Sequence, residues 1–189
     1  PDFAAALKSL DQAAAAKPEA MQTMEISKLR GRALLRLGQS DAALEVWKNL
    51  AATHADDEDL NEEIIDLLVD EGQFEAALES AGALVQRSRD PIAKIMRQLR
   101  LTDILLLAER RDEALATLDT AFAATGADSW IESDILARLE RLFRMGDDVS
   151  GLEQHLAALI KSHPQRVTLA WQHTQLLAAT GQKDAALQS

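Results

Sequence analysis

His54, His155, His163 and His173 are the side chains best suited to bind a metal or move a proton, and their spacing argues against both roles. No two fall four apart on one helical face and no HExxH occurs, so no metal site is expected. No Ser sits in a nucleophile motif, and cysteine is absent altogether. The missing thiols exclude disulfides and thiolate–metal sites, and they leave the redox compartment undetermined. No Gly-rich phosphate loop follows a strand pattern. The acidic run Asp56, Asp57, Glu58 and Asp59 lacks a DxDxDG-type calcium loop and reads as the start of a helix, where carboxylates favour the positive end of the dipole. Neither catalysis nor a cofactor is expected.

The charged residues carry more pattern. Lys28, Arg32 and Arg36 are spaced by four and form a stripe on one helical face. Glu62, Asp66 and Asp70 form an equal stripe of opposite sign, 34 positions further on. Two readings follow. One is a ladder of inter-helix ion pairs, worth about 0–1 kcal/mol per exposed pair. The other is a bipolar patch that grips a partner.

That interval of 34 is the interval of the elements themselves. Gly38 and Gly72 each open the same phrase, GQSDAALE at 38–45 and GQFEAALE at 72–79, and a period of this length marks stacked helical hairpins. Ala43–Leu44, Ala77–Leu78 and Ala114–Leu115 stand early in successive second helices, with Gly151–Leu152 and Ala186–Leu187 continuing the register. Gly38, Gly72, Gly146 and Gly181 are expected at the left-handed residue closing each first helix, and Glu109 must fill that place in the third unit. Asp90–Pro91, Ser129 with Glu132, and Pro164 signal helix starts. First helices are expected at 21–37, 58–71, 91–109, 129–145 and 164–180, and second helices at 2–17, 41–53, 74–88, 111–125 and 148–162. The wider spacing of the third and fourth units is expected to lengthen their first helices at the N-terminal end.

Composition agrees. Ala and Leu dominate, β-branched residues are sparse, Tyr is absent, and no strand is expected. Hydrophobic residues at 47% and charged residues at 27% describe a folded chain, without any apolar run near the ~20 residues of a membrane helix. A net charge of −11 disfavours nucleic acid. The alanine-rich, lysine-poor usage points to a bacterial source, and a cytoplasmic location is slightly favoured over a periplasmic one.

These residues resemble the tetratricopeptide repeat family. Gly31, Gly38, Ala43 and Trp47 match its pattern in one unit; Gly72, Phe74 and Ala77 match it in the next. Phe3, Ala6, Ala13 and Pro18 match it in a leading half-unit. The close-approach site holds bulkier Ile65, Thr102, Leu139 and Thr174 in later units, which should spread those helices. The resemblance implies an all-α, right-handed α-solenoid of antiparallel hairpins. One array would span 1–189, with a half repeat at 1–20, repeats at about 21–57, 58–91, 92–128 and 129–165, and a partial repeat at 166–189. Such ends lack polar capping repeats, so an excised piece of a larger protein, with end-to-end self-association, is expected.

The resemblance also implies a concave groove lined by the first helices. Its residues would be Lys28, Arg32, Arg36, Glu62, Asp66 and Asp70, then Leu99, Asp103 and Leu106, then Glu140 and Phe143, and last Trp171 and Gln175. Trp171 is either an anchor for the partner or a packing residue against a further helix. Trp47 and Phe74 read as core. Lys28 matches one position of the family's carboxylate clamp, but Arg32 and Glu63 break that motif and chaperone-tail binding is not expected. The function implied is a scaffold holding a peptide or helix. The alternatives are a docking arm for an enzyme elsewhere in the parent chain and a helical-repeat RNA binder, which the charge disfavours.

Overall fold

Apolar residues at helical spacing, bounded by well-made caps, turn the described residues (2–16, 18–126 and 130–181) into ten α-helices without a strand in the computed structural model. The helices are α1 (Phe3–Ala15), α2 (Ala20–Arg36), α3 (Ser40–Thr53), α4 (Glu58–Asp70) and α5 (Phe74–Arg87). They continue as α6 (Pro91–Leu107), α7 (Arg111–Ala124), α8 (Trp130–Met145), α9 (Val149–Ser162) and α10 (Val167–Ala179). Asp2, Asp57, Asp90 and Asp148 each accept a hydrogen bond from a first-turn amide, satisfying donors the helix leaves open. The acidic run at 56–59 is such a start: Asp57 caps α4, and Glu58 and Asp59 occupy its first turn. Ser129 and the pair Ala186–Leu187 lie outside the described residues.

The chain divides into two compact units, 1–84 and 85–189. In the first, Ala43 (0% exposed) and Trp47 (1%) of α3 are buried, and Trp47 meets α2 at Gly31. A Cβ on Gly31 would run into the Trp47 indole, whose Nε1–H donates to the Lys28 carbonyl at 3.3 Å. Trp47 is therefore core, as expected, and Gly31 is the space it fills.

In the second unit, Ala114, Leu118, Ile135, Leu139 and Leu169 are fully buried. Arg166, also buried, donates to the carbonyls of Phe122 and Thr125 at the end of α7 and lies 4.2 Å over the Phe122 ring. Its cation thus completes carbonyls the helix leaves open and adds a cation–π contact. Pro164 does not open α10 as expected. Residues 164–165 form a turn, and the helix begins only after Arg166 has been placed.

First helices end in a shared motif. The amides of Gln39, Gln73, Arg110 and Asp148 reach back to the carbonyls of Leu34, Leu68, Leu105 and Phe143. Gly38, Gly72 and Gly181 take the left-handed conformation, and Glu109 takes it at φ 60°. In the fourth unit the left-handed residue is Asp147 (φ 53°), not Gly146. Gly146 has a different task, because a Cβ there would collide with the Arg111 guanidinium, which donates to the Leu142 carbonyl at 2.7 Å.

The slip at Asp147 propagates. Ala43, Ala77 and Ala114 are each 0% exposed at the closest approach of their hairpins, and in α9 that buried place belongs to Leu152, while Gly151 sits only half-buried beside it. The hairpin α8–α9 packs less closely than α2–α3 or α6–α7. Thr102 turns its hydroxyl onto the Gln98 carbonyl at 2.9 Å and does not spread its hairpin.

Candidate functional site

The basic stripe of α2 does pair with α4, one residue later than expected. Lys28 Nζ reaches Glu63 at 2.6 Å and also bonds Glu25; Arg36 Nη2 reaches Glu71 at 3.0 Å, with Arg32 Nε at 3.9 Å. From Lys28 to Glu63 and from Arg36 to Glu71 the interval is 35, so the stripe meets acids one residue beyond the expected Glu62 and Asp70, and Arg32 shares Glu71. The same interval recurs in the second unit, where Arg138 joins Asp103 at 3.0 Å. Adjacent parallel helices need not share the repeat's own period, because an axial shift of 1.5 Å moves the register by one residue.

Burial sorts the expected groove. Lys28 (7% exposed), Leu99 (1%), Leu106 (3%) and Phe143 (8%) are inside, so they support the open face without lining it. Each lies where the helix turns toward its partner: Lys28 beside the Trp47 contact, Phe143 against His155 with ring centroids 5.7 Å apart. Burial alone would depress the Lys28 ammonium, but hydrogen bonds and charge from Glu25 and Glu63 hold its pKa above the ordinary value. Burial likewise opposes the Arg138 charge, and Asp103 and Asp134 outweigh it. Arg32, Arg36, Asp66, Asp70, Trp171 and Gln175 are exposed, and Glu62, Asp103 and Glu140 are half-buried.

In the second unit two of these residues, Glu140 and Gln175, line a cleft of about 150 Å³ between α8, α9 and α10. Leu136, Leu152 and Leu156 form its floor. Glu140 and Arg144, joined at 2.8 Å, stand on one rim, and Gln172 and Gln175 on the other. Trp171, adjacent to Gln172 and one turn before Gln175 on α10, is 63% exposed. The carboxamides both donate and accept, as does a peptide main chain, and the leucines suit an apolar side chain. Gln172 and Leu156 were not expected at a site, and Leu152 was expected only as a mark of the repeat register. GDDVSGLE keeps the spacing of GQSDAALE, so it carries no signal of the slipped register that the backbone at Asp147 shows.

No helix among the described residues is long and apolar enough to cross a membrane. No protein-family model and no curated protein matches the sequence. Among solved structures, the chain is similar to a putative kinesin light chain of Podosopora anserina with nearly identical TPR-like repeats, at 17% identity, covering 90% of this chain and 93% of that one, with a TM-score of 0.50. It is also similar to a MamA RS-1 ArsTM double mutant (16% identity, 87% and 89% covered, TM-score 0.47). A tetratricopeptide repeat protein from Parabacteroides merdae gives 19% identity over 98% of this chain and 70% of that one, with a TM-score of 0.45. With the paired helices and their shared closing motif, the kinesin light chain likeness makes this an all-α, tetratricopeptide-like fold of antiparallel hairpins.

Proposed function

We propose that the chain is a protein-binding scaffold and that the α8–α10 face holds an extended segment of a partner. The observation that carries this reading is the cleft with a leucine floor and two glutamine carboxamides on its rim, beside an exposed tryptophan. An apolar partner side chain fills the floor, its main chain meets Gln172 and Gln175, and Trp171 covers it. Exposed aromatics next to a concavity are the residues that most often dominate binding energy. The ion pair Glu140–Arg144 flanks the cleft with both signs of charge and selects against neither.

The test is selection of random peptides of about twelve residues on the full chain, followed by anisotropy with the winners. Trp171→Ala is expected to weaken them about tenfold or more, a loss of about 1.4 kcal/mol. Gln175→Ala should cost several-fold. Peptides whose affinity is indifferent to both substitutions would move the binding surface elsewhere, and failure to select any would remove the reading.

A further inference from the structure

In the second unit, the edge where α6, α8 and α10 begin carries a row of exposed apolar side chains. Helices joined by short turns alternate in direction, so these three starts share one edge with the ends of α7 and α9 and the turn before α6. Asp103–Arg138 ties α6 to α8, and the cleft residues Glu140 and Gln175 tie α8 to α10, so the three are successive neighbours. Their opening turns present Ile92 (57% exposed), Trp130 (65%) and Val167 (69%). A first turn favours carboxylates, as Glu58 and Asp59 show on α4, and helix formation gives no reason for three large apolar groups there. Nor does the core, which is already filled from these turns by the buried Ile95, Ile131 and Leu169. At about 8–10 Å between packed helices, the row is roughly 20 Å long.

Basic side chains stand around the row. Arg87 closes α5, Arg89 lies in the turn before α6, Lys94 sits in the first turn of α6 and Lys161 in the last turn of α9, and all four are exposed. The acids of this edge are largely committed. Asp90 caps α6 by accepting from the Ala93 amide, Glu132 is buried beside Arg166, and Arg138 holds Asp134; Asp128 lies outside the described residues. The opposite edge reverses the sign. Glu109, Asp112, Asp147 and Asp148 crowd its turns, while Arg110 and Arg144 are engaged by Glu113 and Glu140, and Arg111 by the Leu142 carbonyl.

We infer that this edge is a peripheral contact for an anionic lipid bilayer. Trp130, flanked by Ile92 and Val167, enters the boundary between headgroups and acyl chains, and Arg89, Lys94 and Lys161 meet lipid phosphates. The chemistry fits on both counts. An indole has an apolar ring and an N–H donor, which suits a boundary that is apolar on one side and wet on the other. Lysine and arginine beside such groups are drawn to an anionic leaflet, each strengthening binding about fivefold, and no spanning helix is required. The acidic edge is repelled by the same surface, so the unit meets the bilayer with the starts of its first helices. The contact is separate from the α8–α10 cleft, whose residues Glu140 and Gln175 lie two turns or more beyond Trp130 and Val167 along their helices.

Vesicle sedimentation with the full chain tests this, using phosphatidylcholine alone and phosphatidylcholine with about 30% phosphatidylserine. The mixed vesicles should hold the chain about tenfold or more tightly than the neutral ones, and about 0.5 M sodium chloride should release most of it. Trp130→Ser should weaken binding about tenfold, and Arg89→Glu with Lys94→Glu should abolish it, with native circular dichroism in both. Brominated acyl chains should quench indole emission in the wild type and in Trp171→Phe, but not in Trp130→Phe. Trp171→Ala, in the cleft region, and Met145→Ser, on the acidic edge, should bind as the wild type does. Absence of binding to the mixed vesicles, equal retention by the neutral ones, or quenching that survives Trp130→Phe overturns the inference. Retention indifferent to the paired charge reversal, or lost with Trp171→Ala, does the same. A chain that ignores both vesicles but holds polyglutamate through Arg89 and Lys94 assigns the edge to an acidic protein, and overturns it too.

Discussion

Gly31 and Trp47 act as one unit. The indole occupies the volume of the absent Cβ, and its N–H is satisfied by a carbonyl of the facing helix. Gly31→Ala therefore forces an indole to move within a packed site, and should destabilise by about 1–3 kcal/mol in urea unfolding followed by circular dichroism. Trp47→Leu should recover part of that loss in the double variant. Lys28 sits one turn earlier on the same helix, and its folded pKa is raised. A raised lysine contributes stability that is whole below the unfolded value near 10.4 and is lost as pH climbs through the folded value. Thermal melts should hence show no Lys28 contribution to pH dependence between about pH 7 and 9 and a fall above about 10.4. In Lys28→Met that alkaline fall should shrink. A fall of equal size in both proteins would mean the Glu25 and Glu63 contacts do not persist in solution.

Helix pairs obey registers that differ from the repeat. Glu71, with its side chain 9% exposed, serves two arginines, while Asp70 beside it is exposed. Glu71→Ala should cost about 1 kcal/mol, moderated because both guanidinium groups are half in water. Asp70→Ala should stay within about 0.5 kcal/mol. Equal losses by denaturant titration would restore the interval of 34. The helices themselves were readable in the sequence, because caps and apolar periodicity are local: Asp57 and Asp90 mark starts, and Gly38 and Gly72 mark ends. Axial shift between helices is not local. Nothing in the spacing of Lys28, Arg32 and Arg36 says whether Glu62 or Glu63 comes opposite. The fate of Gly146 was hidden for a related reason. A glycine at a turn looks the same whether it supplies a left-handed backbone or yields room to Arg111 from the preceding hairpin. The expected exposure of Leu99 and Phe143 failed because face assignments drift where a helix lengthens, and α6 and α8 are longer than α4.

Across the molecule charge is divided unevenly. Residues 1–84 hold 17 acidic and 7 basic side chains; residues 85–189 hold 14 and 13. Like charge within a compact unit opposes its own folding, and salt relieves the repulsion. Raising sodium chloride from about 0.02 to 0.3 M should slow amide exchange in α4 about threefold, with less effect in α8. A uniform response along the chain would mean that local ion pairs offset the excess. The second unit's character comes instead from Leu152. Three second helices bury an alanine five residues after the left-handed turn residue, and α9 buries a leucine there. The helices α8 and α9 pack less closely than α2 and α3 or α6 and α7, and the cleft lies there with that same leucine at the bottom. The aperture is thus governed from beneath. Trimming or enlarging one concealed residue can alter what is admitted while every group on the rim stays the same.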